Sequence, residues 1–208
     1  MLELNLPKRF NAAQYLVDRN VEEGRGERPA IFFEDQTYNY HQVLEKVNRS
    51  ANMLEGLGVE MENRVMLLVP DSPEMIFSFF GAIKLGAVPI PTNILMKSQD
   101  FLYVLNDSRA KVLIVDSVFL PEIEKILDQA AFCKNIVVVG GEEHRHLRFD
   151  RLMDQSSAEF KTADTTRDDA AFWLYRRQKS GSSYGGRPFT TVILVYCTEA
   201  YAKGILNM

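Results

Sequence analysis

The residues with the clearest capacity for chemistry sit in one short run, Ser180-Gly181-Ser182-Ser183-Tyr184-Gly185-Gly186, flanked by Lys179 and Arg187. A Gly- and Ser-rich turn after a strand can wrap backbone N–H groups around a phosphate, and its hydroxyls add donors. Ser180, Gly181, Ser182, Ser183, Gly185 and Gly186 are therefore the candidate phosphate-binding residues, although a surface loop would have the same composition. Two common phosphate motifs do not fit. A nucleotide-triphosphatase loop needs Lys-Ser/Thr after its second glycine, and here Gly186 is followed by Arg187-Pro188. A dinucleotide fingerprint needs GxGxxG in the first strand-to-helix turn, and the turn after Val65–Val69 is Pro70-Asp71-Ser72-Pro73.

Other reactive side chains are scattered. His144 and His146 lie in Glu142-Glu143-His144-Arg145-His146, but no further Cys or His is near enough in sequence to complete a four-ligand site. The run reads as a solvated loop. His41 opens a helix with no visible partner, and no pair of carboxylates stands out as acid and base. No catalytic residue and no metal ligand is assigned. Cys133 and Cys197 have no metal-ligand spacing and fit a reducing compartment better than a disulfide scaffold.

The elements that must position the Gly/Ser run follow from periodicity. Phe10 to Asn20 suits a short helix, and Ala30–Phe33 and Thr37–Tyr40 suit a hairpin around Glu34-Asp35-Gln36. Val43, Leu44, Val47, Ala51, Leu54 and Leu57 share one face of a helix over His41 to Leu57. Strands are expected at Val65–Val69, Ala87–Ile90, Lys111–Val115 and Asn135–Val139, with a fifth at Ala170–Tyr175. Ser72-Pro73 should open a helix ending near Leu85, with Gly86 as its stop. Ser98 should cap a helix over Gln99 to Asn106, and Pro121 should open another toward Ala130. Glu142 to Asp169 is polar, with one short helix near Arg151–Met153. Two-sided apolar strands alternating with helices predict an α/β fold, a largely parallel sheet with helices on both faces.

Bulk properties narrow the function classes. A 208-residue chain that is 46% hydrophobic and 25% charged has an ordinary globular composition. A formal net charge of −4 gives no footprint for nucleic acid. Met75 to Pro91 is the most apolar region, but Lys84, two prolines and two glycines interrupt it, so no membrane span is expected. Met1 to Phe10 lacks the apolar centre of a signal peptide, and a cytoplasmic protein is expected.

Three segments, in order, resemble the N-terminal part of the adenylate-forming (AMP-binding) enzymes. They are Thr37-Tyr38-Asn39-Tyr40-His41-Gln42-Val43-Leu44, the run from Gly81 to Pro91 (GAIKLGAVPIP), and the run from Asp168 to Tyr175 (DDAAFWLY). Phe10-Asn11-Ala12-Ala13, Asn93-Ile94-Leu95 and the Tyr103–Arg109 helix end look like the benzoate-CoA ligase and aryl-CoA ligase branch. The resemblance covers residues 8 to 175 and resumes at Tyr196-Cys197-Thr198-Glu199. It implies that residues 1–208 are an N-terminal fragment of an AMP-binding domain, with the C-terminal lid domain absent. It also implies a two-step reaction using ATP, Mg2+ and CoA. A small carboxylate, benzoate-like, attacks the α-phosphate of ATP to give an acyl-adenylate, and the CoA thiol then displaces AMP. A medium-chain fatty acid is the alternative substrate, and a non-catalytic nucleotide-binding or interaction domain the alternative role.

The signature loop of these enzymes, roughly S-S-G-S-T-G-x-P-K-G, is altered here. Arg176-Arg177-Gln178 replaces Ser-Ser-Gly, and Phe189-Thr190 replaces Lys-Gly, so residues 176 to 195 are aberrant and the chain alone is expected to be inactive. A local change of reading frame accounts for both edges. Two TCG serine codons read one base late give Arg-Arg, and C-CAT-TTA-C read one base early gives Pro-Phe-Thr. A diverged loop accounts for them equally. A sheet cut before its remaining strands should also leave an open apolar edge prone to aggregation.

Overall fold

A computed structural model describes residues 5–142, 144–177 and 184–199. The chain opens with a π-wound turn at Gln14–Asp18 running into α1 (Arg19–Glu22), and then the hairpin of β1 (Pro29–Phe33) and β2 (Gln36–Asn39). Asn39 caps α2 (Tyr40–Gly56): its side chain accepts from the Gln42 N–H at 2.9 Å while the Gln42 side chain accepts from the Asn39 N–H. This reciprocal box satisfies two otherwise orphan donors. Val43, Val47, Ala51 and Leu54 are buried on the expected face.

The central unit follows as β3 (Arg64–Leu68), α3 (Pro73–Leu85), β4 (Val88–Pro91), α4 (Ser98–Ser108), β5 (Val112–Asp116), α5 (Leu120–Glu124), β6 (Asn135–Val139), β7 (Leu147–Arg148) and α6 (Phe149–Gln155). Ser72 and Gly86 bound α3 as their types require. The Ser72 hydroxyl accepts from the Met75 N–H, and Gly86 adopts φ 80°, left-handed backbone that a side chain would strain. The five strands form one parallel sheet in the order β4-β3-β5-β6-β7. Counted by chain order among these strands, that is 2-1-3-4-5, a doubly wound arrangement with its reversal between β3 and β5.

Alternation along each strand feeds two cores. Val65, Leu67, Val112, Ile114 and Val137 face α2, α3 and α6, while Met66, Leu68, Leu113, Val115 and Val138 face α4 and α5. Both sets are essentially excluded from water, which is why the strands read as continuous apolar runs.

Three expectations are corrected. Ser98 does not cap α4; the Asp100 carboxylate accepts from the Lys97 N–H at 3.1 Å, and the Ser98 hydroxyl is engaged by Glu122. The helix expected from Pro121 to Ala130 is broken into α5 and flanking 3-10 turns at Ser117–Phe119 and Leu127–Gln129. The predicted fifth strand lengthens to β8 (Ala170–Arg177) but does not join the parallel sheet. It pairs antiparallel with β9 (Tyr184–Thr190), and α7 (Thr191–Cys197) follows. The fifth parallel strand is the two-residue β7, too short to carry a periodic signal.

The open edge of the parallel sheet is blunted by proline. The N–H groups of Val88 and Thr92 donate to Asn63 and Leu67 on the β3 side. By alternation, residues 89 and 91 face outward, and both are proline. The edge therefore offers no donor at either position, and β8 packs beside β4 without sharing a ladder with it.

Candidate functional site

The phosphate-binding candidates divide between two places. Ser180, Gly181, Ser182 and Ser183 lie outside the described residues. Gly185 and Gly186 lie in β9, opposite Arg176 and Tyr175. Gly186 is crowded: a Cβ there would stand 2.8 Å from Tyr175 Cζ and 2.9 Å from its hydroxyl oxygen. Directly opposed residues of an antiparallel pair share a face, so the Tyr175 ring fills the space that a side chain at 186 would need.

The hairpin is held by aromatic contacts on both faces and, on one of them, by a hydrogen bond as well. Phe172 and Phe189 are opposed in register and stacked, with centroids 5.0 Å apart and planes 7° from parallel. Phe172 also meets Phe79 of α3 at 5.6 Å. Tyr175 donates a 2.6 Å hydrogen bond to Asp107 Oδ2 on α4, and the Tyr103 ring meets it edge-on at 6.3 Å. Burial, followed by the Asp107 carboxylate, pushes the Tyr175 phenol well above its ordinary value. It remains a protonated donor at neutral pH.

Beside the hairpin, a cavity of about 220 Å³ is lined by Arg64, Thr165, Asp169, Trp173 and Thr191 among others. The Arg64 guanidinium lies 5.8 Å from the Trp173 ring centre and donates to the Ser108 and Glu62 carbonyls. A second, larger cleft of about 500 Å³ opens beyond the carboxyl ends of β3, β5 and β6, lined by Phe33, Asp71, Ser72, Glu74, Asp116 and Asp150 among others. Carboxyl ends beside a strand-order reversal are the usual ligand position of such sheets. Four carboxylates make this one a poor host for phosphate. Sequence reasoning missed the cleft because strand order is not written in any local pattern.

The histidines fall elsewhere. His144 Nδ1 lies 3.2 Å from the His146 carbonyl, and His146 Nε2 lies 3.3 Å from Glu124. His41 faces Glu27 at 3.7 Å. Among the described residues, no group of three His, Cys, Asp or Glu side chains is placed to hold a metal ion. No helix among them is long and apolar enough to cross a membrane.

Comparison with known proteins places this geometry. The family model described as AMP-binding enzyme matches residues 17–175. The benzoate–CoA ligase of Thauera aromatica is 35% identical over 99% of this chain and 38% of its own length. The 4-hydroxybenzoate–CoA/benzoate–CoA ligase of Rhodopseudomonas palustris is 35% identical over 85% of this chain and 33% of its own length. Among solved structures, an anthranilate CoA ligase in complex with anthranoyl-AMP superposes with a TM-score of 0.91 at 32% identity, over 96% of this chain and 38% of that one. A benzoate CoA ligase from Burkholderia xenovorans LB400 gives 0.84 at 31% identity over the same shares. The chain thus spans little more than a third of the relatives it matches.

Proposed function

The chain belongs to the AMP-binding enzyme family, and on that premise we propose that it is the N-terminal part of an AMP-forming acid–thiol ligase for an aromatic, benzoate-like carboxylate. The parent enzyme joins that acid to ATP as an acyl-adenylate and passes the acyl group to CoA. The observation that carries the reading is the 35% identity to a benzoate–CoA ligase across 99% of the chain. Two solved aryl-CoA ligases share the fold at 31–32% identity.

In this reading Ser180 to Ser183, with Gly185 and Gly186, hold the β- and γ-phosphates through backbone amides and hydroxyls, where negative charge gathers on the leaving pyrophosphate. Phe189 stands where the motif places its lysine and adds no charge. Among the described residues, no group of three His, Cys, Asp or Glu side chains is gathered to hold Mg2+. Two free thiols, Cys133 and Cys197, fit a cytoplasmic location.

The stacked Phe189 favours a second reading, a domain that kept the fold and lost the site. Pyrophosphate release by the complete reading frame that contains these residues, with benzoate or hexanoate, separates the possibilities. Benzoate-dependent release supports the proposal, and faster release with hexanoate replaces it with a medium-chain ligase. No release with either acid favours the non-catalytic domain. Reading the gene through codons 173 to 197 decides between a frame change and a diverged loop.

A further inference from the structure

We propose that Tyr175 is a positioning residue that pins the β8–β9 hairpin to helix α4 through Asp107, with Gly186 kept side-chain-free so that the ring can reach. The inference rests on the reading that this hairpin presents the phosphate-binding residues. β8 and β9 form a sheet of their own and share no ladder with the parallel sheet; backbone bonds such as Ala163 N–H to the Lys84 carbonyl hold the segment before β8, and side chains add the contacts that place the hairpin beyond it. α4 belongs firmly to the other layer, with Phe101, Val104 and Leu105 buried beneath it. The α4 backbone at Asp107 is therefore anchored, with the residue itself exposed.

Tyr175 spans the gap between them. Only 9% of it is exposed, its hydroxyl is 2.6 Å from Asp107 Oδ2, and its ring lies across the backbone of Gly186. One side chain thus touches both strands of the hairpin and the helix beyond. A hydrogen bond to a carboxylate is among the stronger ones and is directional, so it sets depth and orientation where apolar contacts such as Phe172–Phe79 allow sliding. The ring also closes the space above Gly186, which fixes β9 against β8 at the same level.

The test uses the full chain and two readouts, amide exchange in β8 and β9 and ATP binding followed by the fluorescence of Trp173, the single tryptophan. Tyr175→Phe removes only the hydroxyl, Asp107→Leu removes the acceptor, and Asp107→Asn retains one. The first two should speed hairpin exchange and weaken ATP binding about tenfold each, leaving β3 and α2 amides unchanged, while Asp107→Asn stays within about threefold. Gly186→Ala, whose methyl would meet the ring, should reproduce the loosened hairpin with the hydroxyl intact. Wild-type hairpin exchange in Tyr175→Phe and Asp107→Leu overturns the tie. A loosened hairpin with unchanged ATP affinity overturns the positioning role. A wild-type chain that does not bind ATP overturns the phosphate-site reading instead, and the tie to α4 is then decided by exchange alone.

Discussion

Phe189 lies flat on Phe172, its opposite number across the β8–β9 pair, 5.0 Å away and 7° from parallel. The stacked pair, with Arg187 5.9 Å from the Phe189 ring centre, gives Phe189 a packing role. Phe189→Lys should therefore cost the hairpin about 0.5–1.5 kcal/mol, the usual worth of an aromatic pair, while adding positive charge. Amide exchange of Phe172 and Trp173 should quicken. ATP affinity, read in the same samples, should rise only if residues 180–186 can still surround the phosphates. Unchanged exchange would show that the stack contributes nothing to the hairpin.

Lys84 is almost wholly buried, and its ammonium group meets Asp18 at 2.7 Å and the Asn48 side-chain oxygen at 2.6 Å. Three helical segments converge on that one charge. Removing a single partner from a buried pair strands the other and costs about 3–5 kcal/mol. Asp18→Ala should lower the urea midpoint accordingly. The double variant Lys84→Met with Asp18→Leu should recover most of the loss, because no uncompensated charge remains. A single variant as stable as the parent would mean that water reaches the Lys84 ammonium.

The legible part of the fold was the part encoded locally. Ser72, Pro73 and Gly86 mark both ends of α3 because cap chemistry is a property of single residues. The strands Val65 to Leu68 and Val112 to Val115 stand out because burial on both faces demands unbroken apolar runs. What was illegible depends on distant residues. Asp107 and Tyr175 are 68 positions apart, and nothing near either names the other. Lys84 could be read as an interruption in an apolar helix, but Asp18, 66 positions away, could not be found from it. Gly185-Gly186-Arg187-Pro188 has the composition of a turn, yet pairing with β8 makes it strand. The phosphate candidates remained a composition argument, and two of the six fall on the hairpin stem.

The two thiols should behave oppositely. Cys197 is exposed on α7, whereas burial pushes the Cys133 thiol up to about 11 from an ordinary 9.0. At neutral pH a disulfide-exchange reagent should modify Cys197 quickly and Cys133 only on unfolding, since the thiolate is the attacking form. The folded state holds the Cys133 proton more tightly than the unfolded chain, so the associated stability is complete below about pH 9 and is lost as pH rises toward 11. Cys133→Ala should flatten that alkaline loss. Rapid modification of both thiols in the folded protein would contradict the burial argument.

Pro89 offers the most direct test of how the sheet edge is managed. It is buried on the outward register of β4, where β8 packs without forming a ladder. Proline is tolerated there because the missing N–H has no acceptor to miss. Pro89→Val keeps a strand-compatible apolar side chain but adds a buried donor that faces no acceptor, at a cost of about 1–3 kcal/mol. Urea unfolding should register that loss with an unchanged denaturant slope, since the surface exposed on unfolding is the same. If stability held and the new N–H were protected from exchange, β8 would have accepted it as a ladder bond. The hairpin would then be joined to the parallel sheet by backbone, and the Tyr175–Asp107 tie would no longer be needed to place it.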